Sequence, residues 1–347
     1  LDFQLSQFQR KMVQKNPKET ISIIIVNWNT KNETARAIKS IYKNCKLKPE
    51  IIVVDNNSSD ESASYLIKFF SKIKLIKNKE NFGYAKANNQ GAKLAKSELI
   101  LILNPDTQFQ KGTLEALIDY YTSHPHLGAV VPKLLNTDGT TQYYYHRMLP
   151  TLKYQIASLV HNYTPLKNFN WAKEYFLLDK KFKTNTKIEQ AAGVCILTKK
   201  SIIKKIGGLF DEKFPIFLND VDFSYRLKKH HMDIYLVANS KIIHHKSTST
   251  SKLDPYTLRQ ESLLSQIYYF KKNSNYLIYL IFKIAIILVL AQLVILTKLG
   301  ITKSYLNVPI KNQKHSISKQ LNNLKAVLSE NRNHSGLVLA SQLYLTK

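Results

Sequence analysis

The 347-residue chain has few of the residues that staple or break small folds: two cysteines, ten glycines and ten prolines. Two cysteines, Cys45 and Cys195, exclude a disulfide scaffold and a cysteine-rich zinc module, and they fit a reducing, cytosolic setting. The low glycine and proline counts exclude collagen-like and proline-rich linker classes. The chain has no HExxH or CxxC pattern, which argues against a zinc hydrolase. It also lacks G-x-G-x-x-G. The first apolar run is followed by Asn27-Trp-Asn-Thr30, which argues against a nicotinamide oxidoreductase. No repeat of solenoid period occurs. Residues 1–20 are polar and mixed, without an apolar core of signal-peptide length, so no export is expected.

Acidic side chains are scarce too: 24 against 51 Lys and Arg, a formal charge of +27. Such an excess calls for an anionic partner, whether nucleic acid, anionic lipid or a phosphorylated substrate. Nucleic acid ranks last. The chain has no reader motif, and its strand-end acids would repel phosphate without a metal. A composition 44 % apolar and 22 % charged is globular, and the length allows one large domain with attachments, or two domains.

Ile21-Ser-Ile-Ile-Ile-Val26 is a short β-branched run, the pattern of a strand buried on both faces. A helix-spaced stretch around Ala35, Ile38 and Ile41 follows it. Strands are then expected at Glu50–Asp55, Ile73–Ile76 and Leu99–Leu103, with a helix from Tyr84 to Lys96. Strands alternating with helices predict an open α/β sheet with parallel strands. Ligands of such sheets sit at the carboxyl ends of the strands. Asn27 to Thr30, Asp55 to Ser59 and Asn104-Pro-Asp106 all fall there. Residues 143–189 are less regular and read as a variable insertion beside the site. Order returns at Gln190–Leu197, then in a helix opened by Asn219-Asp-Val-Asp222 and a strand over Ile234–Val237.

Asp55, at a strand end, can accept hydrogen bonds from a nucleobase or a ribose hydroxyl, or can simply form the turn. Asp106 follows a proline that has no donor to lose at a strand end. It can hold Mg²⁺ or Mn²⁺ together with substrate phosphates, or cap the next helix. Asp220 and Asp222 lie in a first helical turn, where the dipole favours acids. Either can take a proton from an attacking hydroxyl. Of the neighbours His244 and His245, one at most faces the site, because adjacent side chains of an extended segment diverge.

Together these stretches resemble family 2 glycosyltransferases of the GT-A fold, nearest to the rhamnosyltransferase-like enzymes of bacterial polysaccharide assembly. The resemblance rests on Ser22–Asn29, Val53–Asp60, Asn81–Gly91, Leu103–Thr107, Gly193 with its strand, Ile206–Glu212, Asn219–Leu227 and His244-His245, in family order. It implies a nucleotide-diphosphate sugar donor, dTDP- or UDP-linked, a divalent Mg²⁺ or Mn²⁺, and an inverting single displacement. Asp55 would bind the base with Trp28 packing nearby, and Asn27 and Asn29 would help line the nucleotide site. Asn81, Gly83 and Asn88 would shape the pocket floor. Asn104-Pro-Asp106 replaces the family's acidic metal motif, with its last carboxylate kept. His244 falls where some members also touch the metal. Asp220 falls on the catalytic base, with Gly193, Asn219 and Asp222 supporting it or lying on the acceptor side. Asn219 departs from the family's usual acid, which leaves a second reading: a weak or inactive nucleotide-sugar-binding protein of the same fold.

Four segments are expected: an N-terminal extension (1–19), the GT-A domain (20–250), a helical membrane-associated segment (251–297) and a basic tail (298–347). Tyr276 to Thr297 is apolar except for Lys283 and Gln292, and at ~1.5 Å per residue it is long enough to cross a bilayer. The tail holds eight Lys or Arg and one Glu. Basic flanks on both sides conflict with a simple span. The expected place is therefore in or dipping into the cytoplasmic leaflet of a bacterial cell membrane, drawn to anionic lipid. A single span and a buried core helix remain as alternatives. The acceptor implied is a lipid-linked or polysaccharide glycan.

Overall fold

The computed structural model describes residues 21–163, 170–246, 253–299 and 313–330. The N-terminal extension lies outside the described residues, as do 300–312 and 331–347 of the basic tail. The first half alternates as its pattern demands: β1 (Ile21–Asn27), α1 (Lys31–Asn44), β2 (Glu50–Asp55), α2 (Ser62–Phe69), β3 (Lys74–Lys77), α3 (Gly83–Leu94) and β4 (Leu99–Leu103). These strands pair in parallel in the order β3-β2-β1-β4. Successive side chains of a strand point to opposite faces. In β1, Ile21, Ile23 and Ile25 therefore join Ile38 and Ile41 of α1. Ile24 and Val26 join Ala85 and Ala87 of α3 on the other face.

After β4 the alternation stops and the sheet becomes mixed. The elements are β5 (Thr107–Phe109), α4 (Thr113–Ser123), β6 (Leu127–Leu135), α5 (Leu152–Tyr163), α6 (Asn170–Tyr175), β7 (Thr186–Ile188), β8 (Cys195–Lys199), α7 (Lys200–Lys205), α8 (Asn219–Lys229) and β9 (Asp233–His244). The full order is β3-β2-β1-β4-β8-β6-β9-β5, with β7 also on β9. The parallel pairing expected of the alternating half ends at β4, because β8 runs antiparallel to both β4 and β6. The connection into β8 comes from the insertion and reaches the sheet at the carboxyl end of β4, pairing Cys195 with Leu103. That reversal brings the loop carrying Gly193 to the same sheet edge as Asp55 and Asp106. The strand expected after Gly193 runs from Cys195 to Lys199, preceded by a turn at 193–194.

Three further helices, α9 (Pro255–Asn273), α10 (Tyr276–Lys298) and α11 (Gln313–Ser329), pack on the domain. Asp254 caps α9 by accepting from the Thr257 N–H, and Asn275 caps α10 by accepting from the Ile278 N–H. The segment read as a basic tail thus contains α11. Tyr279, Phe282, Ile286, Leu290 and Leu293 of α10 are buried with Leu159 of α5, Leu263, Ile267 and Phe270 of α9, and Val327 of α11. The opposite side of α10 leaves Leu277, Ile281, Ile284, Leu288 and Ile295 exposed. The buried set recurs every three or four residues and the exposed set every three, four or seven, so one helix carries two apolar faces and only one is covered. Lys283, the charge inside this run, pairs with Glu330 at 2.5 Å, and Lys271 joins the same carboxylate at 2.6 Å.

Candidate active site

The carboxyl ends of β1 and β4, the loop before β8, the first turn of α8 and the end of β9 surround one cavity of about 520 Å³. Residues of the 143–189 insertion and Ser262 and Gln266 of α9 close it. Nine of the expected site residues line it: Trp28, Asn81, Gly83, Asn104, Asp106, Gly193, Asn219, Asp220 and His244.

Asp106 and His244 come from different strands. Thr107 pairs with His244 across β5 and β9, which brings the residue before Thr107 against the histidine ring. Nε2 of His244 lies 3.3 Å from Oδ1 of Asp106. Nδ1 of His244 lies 2.8 Å from Oε1 of Gln142, a contact that orients the ring with Nε2 facing Asp106. The Tyr145 ring stands edge-on to the histidine. One carboxylate and one oriented imidazole could supply two ligands to a cation. The arrangement fits Mn²⁺ or Mg²⁺ completed by phosphate oxygens and water. No group of three or more metal-ligating side chains occurs among the described residues, so the site depends on such outside ligands. His245 is absent from the lining, as divergent neighbours require.

Asp220 occupies the first turn of α8. Its Oδ2 accepts from the Gly193 N–H at 2.8 Å and from Gln190 Nε2 at 3.4 Å. Burial pushes its carboxyl above the ordinary value, while the Gly193 N–H and Arg147 pull in the other direction. Leu218, just before the helix, takes φ +63°, a left-handed conformation that is costly for a branched side chain. It sets Asn219 and Asp220 at the cavity wall. Asn219 donates through Nδ2 to the carbonyls of Ile216, at 2.9 Å, and Phe214, at 3.4 Å. An acid at this position could not make those bonds.

Five expected residues lie outside the cavity lining. Asn27 and Asp55, expected at the nucleotide, are fully buried. Asn27 Nδ2 donates to Asp55 Oδ1 at 2.6 Å and to Ser58 Oγ at 2.9 Å, and the Ser58 N–H donates to Asp55 Oδ2 at 3.0 Å. Asn29 is committed to the same turn, with its Oδ1 accepting from the Ser59 N–H at 2.7 Å. These groups shape the rim of the site, because a buried carboxylate is stable only where donors saturate it. Asn88 donates to the Tyr84 carbonyl from inside α3. Asp222, two residues from Asp220, points away from the cavity. It pairs with Arg226 at 2.8 Å and Lys272 at 2.7 Å, joining α8 to the end of α9. Arg147, Gln190, Gln142, Tyr84 and Tyr145 escaped the sequence reading. Only the position of Gln190 beside Ala191-Ala-Gly193 gave a signal.

The mixed sheet with its cavity at the carboxyl edge is the GT-A fold, the architecture of nucleotide-diphospho-sugar transferases. A family model described as glycosyl transferase family 2 matches residues 22–207, more than half of the chain, and the chain belongs to that family. It is similar to N-acetylglucosaminyl-diphospho-decaprenol L-rhamnosyltransferase of Mycobacterium tuberculosis, 26% identical over 201 residues, 54% of this chain and 64% of that protein. It is also similar to the low-salt glycan biosynthesis hexosyltransferase Agl10 of Haloferax volcanii, 24% identical over 240 residues, 64% of this chain and 66% of that one. The chain thus spans just under two thirds of the length of these relatives. Among solved structures, GalNAc-T7 with UDP, GalNAc and Mn²⁺ shares the fold. Its TM-score is 0.53 at 13% identity, over 91% of this chain and 57% of that one.

Proposed function

We propose that the chain transfers one sugar, rhamnose or a similar hexose, from a dTDP- or UDP-linked donor to a hydroxyl of a lipid-linked glycan, with inversion at the anomeric carbon. One observation carries this reading: Asp220 and the Asp106–His244 pair stand on the walls of a single cavity. In a single displacement the attacking hydroxyl and the departing diphosphate lie on opposite sides of the anomeric carbon. Asp106 and His244 would hold a divalent Mg²⁺ or Mn²⁺ on the diphosphate side, and the bound ion supplies positive charge to the leaving group. Asp220 takes the proton of the acceptor hydroxyl. Its burial strengthens it as a base, and the Gly193 N–H fixes the direction of its Oδ2. Positioning and fixed charge do the rest.

Two features support a lipid-linked acceptor at a membrane surface. The M. tuberculosis relative is named for a decaprenol-diphosphate-linked sugar. Helix α10, by length and composition able to cross a membrane, covers one apolar face with its own domain and leaves the other open. That arrangement supports a helix lying in the plane of the cytoplasmic leaflet, where the surplus of Lys and Arg would attract anionic lipid.

The test is transfer by the purified full chain with Mn²⁺ or Mg²⁺, a panel of dTDP- and UDP-hexoses, and N-acetylglucosaminyl-diphospho-lipid as acceptor. Product mass and anomeric coupling constants are read. An inverted product with at least one donor is expected. Tight nucleotide-sugar binding without turnover would point to the binding-protein reading, which the structural role of Asn219 does not favour.

A further inference from the structure

We infer that Arg147 forms the anion subsite for the acceptor, taking the phosphate next to the sugar of a phosphate-linked glycan. The inference rests on the single-displacement reading above and adds to it which chemistry the acceptor must carry. In a chain with 51 Lys and Arg, Arg147 is the only one of them lining the cavity among the described residues. The insertion holds it firmly. Its Nε donates to Gln190 Oε1 at 2.6 Å, and its backbone carbonyl accepts from the Gln190 N–H at 3.0 Å. The guanidinium sits over the Tyr175 ring, 5.5 Å from the centroid. These contacts use Nε and one face. Nη1 and Nη2 make no hydrogen bond among the described residues. A guanidinium fixed in this way is a preorganised fork for phosphate.

The side of the cavity decides which phosphate. Gln190, which orients Arg147, reaches Oδ2 of Asp220 with its Nε2 at 3.4 Å. Arg147 is therefore one amide away from the base and belongs to the attacking side. The departing diphosphate belongs to the other side, with Asp106 and His244. An acceptor sugar carried on a phosphate presents its hydroxyl and its anion on one ring, and the Asp220–Gln190–Arg147 row matches both.

The experiment compares two soluble probes bound to the full chain in the presence of dTDP and Mn²⁺: octyl-diphospho-N-acetylglucosamine and octyl N-acetylglucosaminide. Calorimetry reads the affinities of wild type, Arg147→Met and Arg147→Lys. A charge-assisted pair predicts that wild type prefers the diphosphate probe by about tenfold or more. Arg147→Met should reduce that preference to within about twofold, with Arg147→Lys in between. A preference that survives Arg147→Met, or a wild type with none, overturns the inference. Arg147→Met that weakens dTDP binding while keeping the probe preference also overturns it, and assigns the arginine to the donor. Because binding is read apart from turnover, a wild type that discriminates yet transfers nothing upholds the subsite and counts against the proposed function instead.

Discussion

The backbone N–H of Gly193 donates to Oδ2 of Asp220 over 2.8 Å, and the bond exists because β8 enters the sheet in reverse. Had β8 run parallel to β4, its leading loop would lie at the far edge. The strand reversal and the placement of the base are thus one feature of the fold.

Asp220→Asn should abolish transfer and stabilise the protein. Burial raises the carboxyl pKa of the folded state above that of the unfolded chain. The folded protein therefore binds the proton more tightly, and stability falls as pH rises through the window between the two values. The asparagine variant escapes that loss. Its melting temperature should exceed wild type at neutral pH and match it below the ordinary carboxylate range. The same shift should move the acid limb of kcat/KM above the pH expected of an unperturbed aspartate. Melting curves and rate profiles across pH read both effects.

Gln142→Leu should raise the Mn²⁺ concentration for half-maximal activity by about 10–100-fold, the usual effect of removing a partner that orients a ligating histidine. Gln142 holds Nδ1 of His244 at 2.8 Å and donates to the His244 carbonyl at 3.0 Å. An unchanged metal requirement would remove His244 from the cation site.

Gly83→Ala should destabilise the fold by about 1–3 kcal/mol and weaken donor binding. Gly83 has φ +80°, and an added Cβ would stand 2.8 Å from the Pro215 carbonyl oxygen. The Tyr84 N–H donates to that oxygen at 2.6 Å, tying α3 to the cavity wall. Denaturant unfolding and nucleotide titration measure the two losses.

Lys272→Met should cost about 2 kcal/mol, less than the ~3–5 kcal/mol for breaking a fully buried pair, because this lysine keeps some contact with water. It bridges Asp222 at 2.7 Å and Asp211 at 2.8 Å. The loss should appear as loosening of α9 and α10 from the domain, seen as faster amide exchange over residues 255–298.

The parallel half of the sheet was legible because β1, β2 and β4 are continuous β-branched or leucine runs, buried on both faces and bounded by polar turns. β3 and α3 fell within a residue or two of their expected limits. In the other half the elements at Cys195–Lys199, Asn219–Lys229 and Asp233–His244 were legible, but not the direction of the strands. Nothing local in Cys195–Lys199 states strand direction, which depends on where the insertion delivers the chain. Asp106, Asp220 and His244 were readable as polar groups at element ends. Asp55 and Asn27 carried the same signal, yet hydrogen bonds to each other and to Ser58 keep them out of the cavity. Arg147 and Gln142 were hidden, since an arginine or glutamine in an irregular stretch carries no period and no motif.

The account stands most directly on where the divalent ion meets the nucleotide. Paramagnetic relaxation of the ³¹P signals of dTDP by Mn²⁺ on the full chain measures it. Strong relaxation on wild type and on Asp220→Asn, with none beyond free solution on Asp106→Ala, is the predicted result. Undiminished relaxation on Asp106→Ala would contradict it.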